Sequence, residues 1–254
     1  MCKWIYAGLA LGYVIFTIMV VLVVMIVVGV RMSDPLRWLI LVGWITFCAG
    51  NVFVMERLGT AVFPDCRMPI GSEEERLVGL IQPVLDRAGS KMRIRFLVRS
   101  APEKPTGSLG YRTILIQSGC LPLASDGELQ GILAHELGHL RDGDRVFESA
   151  FAMAGLFSQL FRWGCRLVRW GFGVSVLVGL VLLGILSPAL LLLLIFYFLD
   201  GVFRGLQWGL KRWIDYRQDT FAFRVGCGDG LRAWLERTGL AANAHRIRRL
   251  EKMK

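Results

Sequence analysis

Apolar residues dominate from Trp4 to Val30 and again from Leu36 to Met55, where Asn51 is the only strongly polar interior position. As a helix the first stretch is about 40 Å long against a hydrocarbon layer of about 30 Å, so it is expected to span with tilt. It is too long for the apolar region of a cleaved signal peptide and reads as a retained anchor. With the short loop 31–35, the two stretches predict a hairpin that returns the chain to its starting side. From Glu56 to Arg145 the pattern changes, and charges occur in every block of ten. Leu77, Leu80, Ile81, Val84, Leu85 and Ala88 follow three-and-four spacing, which predicts an amphipathic helix over 73–88 with a bend at Pro83. RIRFLVR at 93–99 and YRTILIQ at 111–117 read as strands that pair, separated by a loop with Pro102, Pro105, Gly107 and Gly110. Ser125, Asp126, Gly127 and Glu128 form a capping box, so a helix starts there and runs through His139.

Val146 to Leu210 is apolar again, interrupted by Arg162, Arg166 and Arg169. The preferred reading has crossings at about 146–164 and 172–199; the other breaks the chain at Pro188 and uses about 170–187 and 189–209. An interfacial helix lying on the membrane is the alternative for the first of these segments. The expected organisation is an N-terminal transmembrane hairpin (1–57) and the first half of a soluble domain (58–145). A second membrane segment with two crossings (146–209) and the second half of that domain (210–254) follow.

Composition agrees with this layout. Hydrophobic residues make up 54% of the 254 positions, too many for an ordinary soluble domain. Lys and Arg number 30 against 20 Asp and Glu, which suits anionic lipid headgroups and excludes the low-hydrophobicity disordered class. The six cysteines are scattered without a CxxC pair, so neither a zinc ribbon nor a disulfide framework is indicated, and a reducing compartment fits. The loop 31–35 carries only Arg31, whereas the soluble parts hold most of the cations, which places those parts in the cytoplasm.

The chemistry lies in His135, Glu136, Leu137, Gly138 and His139, an HExxH string on the helix that the capping box starts. Histidines four apart project from one helical face, close enough to bind a single Zn²⁺, while Glu136 is directed at a water on that metal as general base. Two of the chain's three histidines sit in this motif. A third ligand is required, and the metzincin pattern fails because Asp142 and Arg145 stand where glycine and histidine are needed. Glu148 is too near along the chain. His245, Glu236 and Glu251 remain open, but Asp215 and Asp219, four apart on a helical face, are more suggestive. One would bind zinc while the other accepts the spare N–H of a ligating histidine.

The block Thr113 to Asp144, TILIQSGCLPLASDGELQGILAHELGHLRDGD, resembles the HtpX-type and CAAX-prenyl-protease-type integral membrane gluzincins. The order of parts is similar too, and the terminal HRIRRLEKM resembles that family's closing helix. The resemblance implies a mainly α, multi-pass membrane protein with a small α+β zincin-like catalytic domain carrying a short β-hairpin or sheet. It implies His135, His139 and Asp215 as metal ligands and Glu136 as the catalytic residue, with Asp219 and Asp144 supporting the ligands from behind. Asp215 stands where the family has a glutamate within an ExxxD motif, which shortens the reach by roughly 1.3 Å. Pro105 and Thr106 replace an Asn-Ala pair, and the family's His-Pro before the last helix is missing, with His245 directly beside Arg246.

The expected function is a zinc endopeptidase of the bacterial inner membrane, with its catalytic domain in the cytoplasm, cleaving membrane or misfolded proteins. Strand pairing at Arg112 to Gln117 is expected to hold the extended substrate. Protein or peptide substrates, the lipid bilayer and a membrane-protein complex or homo-oligomer are the expected partners. Nucleic acid is not one: Arg246, Arg248, Arg249, Lys252 and Lys254 read as a solvated basic helix. The alternative is a catalytically degenerate zinc-binding scaffold for other membrane proteins.

Overall fold

The computed structural model describes residues 63–100, 106–144, 156–239 and 244–253, together with Glu148 and isolated positions before residue 63. The two predicted N-terminal spans therefore lie almost wholly outside the described residues. The chain divides into two compact units, one of Met1–Asn51 and Phe147–Leu210, the other of Val52–Val146 and Lys211–Lys254.

In the second unit the chain forms β1 (Cys66–Arg67), α1 (Ser72–Arg87), β2 (Arg95–Arg99), β3 (Gly107–Leu109), β4 (Thr113–Gln117), α2 (Cys120–Leu123) and α3 (Asp126–Asp142). The C-terminal part of the long helix α5 (Val176–Arg224), then α6 (Gly228–Thr238) and α7 (Ala244–Glu251), complete it. The protein is mainly helical with one small sheet. Helix α1 forms as its apolar spacing predicts, burying Leu77, Ile81, Val84 and Leu85, and it continues through Pro83. Acidic residues Glu73, Glu74 and Glu75 in its first turn complement the helix dipole.

The sheet has the order β1-β2-β4-β3. The two predicted strands do pair, but in parallel, with Arg95 opposite Thr113 and Arg99 opposite Gln117. No tight turn joins them, because the intervening chain first forms β3, which pairs antiparallel with β4. This corrects the expectation for substrate: β4 has strands on both sides, so Arg112 to Gln117 offers no edge. The terminal strand on that side, among the described residues, is β3. The burial of Ile114, Leu115 and Ile116 without alternation is that of a strand covered on both faces.

Helix α3 carries a complete capping box. The Ser125 side chain accepts from the Glu128 backbone N–H, and the Glu128 carboxylate accepts from the Ser125 N–H at 2.8 Å. At its other end Gly143, in the left-handed region at φ 71°, stops the helix. From Leu129 to Leu140 nearly every residue of α3 is buried, in a core shared with α1, the sheet, α5 and α6. The packing of α3 on α6 depends on two glycines. A Cβ at Gly131 would run into the backbone of Leu231, and one at Gly230 into the carbonyl of Gly127.

In the first unit, α4 (Leu156–Val174) is followed after Ser175 by α5. The helix break falls at Ser175, and α5 continues through Pro188. Ser175 caps α5, its hydroxyl accepting from the Val178 N–H at 3.1 Å. Pro188 lacks the N–H that would serve the Gly184 carbonyl, and the Ser187 hydroxyl donates to that oxygen at 3.2 Å instead. Among the described residues no helix is long and apolar enough to cross a membrane.

Gly131→Ala is expected to lower the unfolding free energy by about 3 kcal/mol, since backbone atoms on both helices must move apart. Thermal unfolding of the purified protein against wild type checks this, and an unchanged midpoint refutes the close-approach role.

Candidate metal centre

The sequence brings His135 and His139 onto one face of α3, four residues apart and both buried. Their Nε2 atoms lie 3.3 Å from each other. Each Nδ1 meets a carboxylate: His135 Nδ1 is 2.9 Å from Asp219 Oδ1, and His139 Nδ1 is 3.2 Å from Asp144 Oδ2. Ionised carboxylates only accept, so each Nδ1 carries the proton and donates it. That tautomer leaves two Nε2 lone pairs facing one another, an arrangement that is repulsive without a cation between them.

Asp215, on α5, lies where it could offer a third donor. Its Oδ1 is 3.6 Å from His139 Nε2, and the ligand atoms of His135, His139 and Asp215 all lie within 4.8 Å of one another. Tetrahedral zinc with ligands at 2.0–2.1 Å separates them by about 3.3 Å, so this donor set fits such an ion. The aspartate reaches the site despite its shorter side chain. Glu136, next to His135, is buried as well.

The carboxylates behind the histidines are themselves held. Gln218 Nε2 donates to Asp144 Oδ2 at 2.7 Å, and Arg217 Nη2 donates to Asp144 Oδ1 at 2.9 Å. Asp144 reaches His139 because the left-handed turn at Gly143 redirects the chain directly after α3. Arg246, on α7, grips Asp219 bidentately, Nη2 to Oδ1 at 2.6 Å and Nε to Oδ2 at 2.9 Å. Burial alone would raise the Asp219 carboxyl, but the hydrogen bonds from Arg246 and His135 outweigh it and hold that carboxyl well below the usual carboxylate range. Burial likewise works to lower Arg246, and its bonds to Asp219, with attraction from Asp215 and Glu136, raise it above the ordinary guanidinium value.

All six residues named from the sequence lie in this one region. The other third-ligand candidates do not: His245 and Glu251 are exposed, and Glu236 pairs with Arg232 at 3.4 Å. Four contributors were missed. Arg246, which the sequence places on a solvated basic helix, instead turns its guanidinium inward onto Asp219. Arg217 and Gln218 lie between the two aspartates of the DYRQD string, where i+3 spacing from Asp215 is a signal for Gln218 alone. Gly138 is the fourth: a Cβ there would collide with Gln218 Oε1, so the glycine inside HELGH lets α5 close on α3.

Two histidines from one helical turn and a carboxylate from a later helix form a group that could hold a metal ion, as in metallohydrolases of the HExxH type. The model of peptidase family M48 matches residues 80–233, more than half of the chain, and the chain belongs to that family. It is similar to a Protease HtpX homolog of Desulforapulum autotrophicum, 27% identical over 179 residues, which cover 64% of this chain and 53% of that protein. A Protease HtpX homolog of Thermoanaerobacter pseudethanolicus is 24% identical over 229 residues, covering 83% and 70%. Another, of Thermococcus sibiricus, is 33% identical over 84 residues, covering 30% and 29%. The chain spans about half the length of the first of these relatives. No solved structure matches.

Because the Asp219 carboxyl is depressed in the folded protein, its contribution to stability is present in full above the unfolded value of about 3.9 and is lost as pH falls through the folded one. Asp219→Asn strands the Arg246 charge and is expected to cost about 3–5 kcal/mol. Urea unfolding in chelator at pH 7 checks this, with a loss under about 1 kcal/mol excluding a strong pair.

Proposed function

We propose that this protein is a membrane-embedded zinc endopeptidase, and the observation that carries the reading is the convergence of two histidine nitrogens and a carboxylate within 4.8 Å of one another. His135, His139 and Asp215 would hold the ion. Bound zinc lowers the pKa of a water toward about 7 and polarises a substrate carbonyl. Asp219 and Asp144 keep each imidazole in the tautomer that presents Nε2 and raise its basicity. Glu136 takes the proton of the attacking water and later delivers it to the departing amine. Arg246 neutralises Asp219, so the buried acids around the histidines do not repel one another unopposed.

The substrate is a polypeptide in extended form. Strand β3 supports this, since it ends the sheet and packs against α3, which carries the catalytic histidines. Membrane residence, with the catalytic unit on the cytoplasmic side of the inner membrane, rests on the two N-terminal apolar stretches and the cation distribution. It is also supported by exposed apolar side chains on α5, among them Val176, Leu177, Ile185 and Phe198. On α4 exposed Trp163, Leu167, Trp170 and Val174 recur at helical spacing beside Arg162, Arg166 and Arg169, the pattern of a helix that meets lipid at the headgroup level. Misfolded or membrane-inserted proteins are the substrates such a placement favours.

Glu136→Gln is expected to cut the rate of casein cleavage by the detergent-purified protein about 10²–10⁴-fold while zinc content stays near one per chain. Asp215→Ala is expected to lose both. Cleavage by Glu136→Gln at the wild-type rate would falsify the mechanism, and a zinc-loaded wild type inert toward casein would favour the scaffold reading. Membrane residence is checked separately by alkaline carbonate extraction, where the protein should stay in the pellet; release into the supernatant refutes it.

A further inference from the structure

Glu56 is a charged residue at a site where charge is costly, because it is buried. Its carboxylate accepts from the backbone N–H of Tyr111 at 3.1 Å through Oε2 and from that of Arg112 at 2.8 Å through Oε1. The Thr113 hydroxyl donates to Oε1 at 3.2 Å. The Glu56 carbonyl accepts from Arg95 Nη1 at 3.4 Å, so one residue touches the first positions of both β2 and β4. Gly110 is shaped to this acid: its φ is 61°, and a Cβ there would come within 2.5 Å of Glu56 Oε2. Charge-assisted bonds from two amides and a hydroxyl are stronger than neutral ones, and losing the acceptor would orphan both amides.

The segment held in this way is the turn between β3 and β4. Strand β3 has three residues and a strand neighbour on one side only, among the described residues, so its own ladder constrains it weakly. Its placement against α3 is set at one end by Thr106, whose hydroxyl accepts from the Gln117 N–H at 3.3 Å, and at the other by the turn into β4. We infer that Glu56 is a positioning residue for substrate: its carboxylate fixes the turn 110–113 and thereby sets the register and height of β3 beside the HExxH helix. A peptide laid along β3 then meets the metal centre with a scissile carbonyl in place. This rests on the peptidase reading above. In the sequence Glu56 follows directly on the apolar stretch 36–55.

The test compares Glu56→Gln and the milder Thr113→Val with wild type in detergent, using fluorescent casein and amide hydrogen exchange. Glutamine turns one acceptor into a donor facing a donor, whereas valine removes only the hydroxyl contact. For Glu56→Gln, KM is expected to rise about fivefold or more with kcat within about twofold, the signature of lost substrate placement. Amides of 107–112 should exchange about tenfold faster, with α3 and zinc content unchanged. Thr113→Val should shift both readouts in the same direction by less. Unchanged exchange at 107–112, unchanged KM, or a rise in exchange shared by α3 and β2 overturns the proposal. If wild type cleaves nothing, the peptidase reading fails, and the exchange data still decide whether Glu56 holds the strand.

Discussion

Two imidazole Nε2 atoms facing each other across 3.3 Å are the constraint around which this unit is organised. Nothing in a hydrophobic core would hold them there. They are held from behind, where each ring gives its N–H to a buried carboxylate, and each carboxylate is in turn gripped by donors from a different helix. Asp144 is held by Arg217 and Gln218 of α5, and Asp219 by Arg246 of α7. The repulsion at the centre is thus balanced by attraction at the periphery, and a divalent cation held there would turn the central repulsion into binding energy.

The fold serves this arrangement by bringing helices unusually close. Glycines at 131 and 230 let α3 and α6 meet at backbone distance, and Gly138 gives Gln218 room beside the histidines. Large side chains at these points would separate the helices and pull the donors away from the carboxylates. The polar residues of the centre are therefore placed by the absence of side chains elsewhere, as much as by their own contacts. Membership of peptidase family M48 fits a scaffold of this kind, in which HExxH is one part of a larger hydrogen-bonded set.

Local signals carried much of this into the sequence. The capping box at Ser125, the three-and-four spacing of α1 and the HExxH string each describe a few neighbouring residues, and each corresponds to what forms. Asp215 and Asp219 were legible because four-residue spacing is itself a structural statement. What escaped depends on contacts distant along the chain. Arg246 differs in no local respect from Arg248 or Arg249, and only the approach of α7 to Asp219 separates them. The parallel pairing of β2 with β4 was hidden for the same reason, since β3 is too short to announce itself by alternation. At Pro188 the residue that usually ends a helix is accommodated by its neighbour's hydroxyl, a compensation that strand and helix propensities do not express.

The reliance on Arg246 has a temporal side. Ribosomes deliver the chain from the N-terminus, and the guanidinium that steadies the His135 partner lies 111 residues downstream of that histidine. While the HExxH helix is already emerging, Asp219 and its cation have yet to be translated. A nascent chain therefore carries the histidines without their support until α7 has emerged and docked.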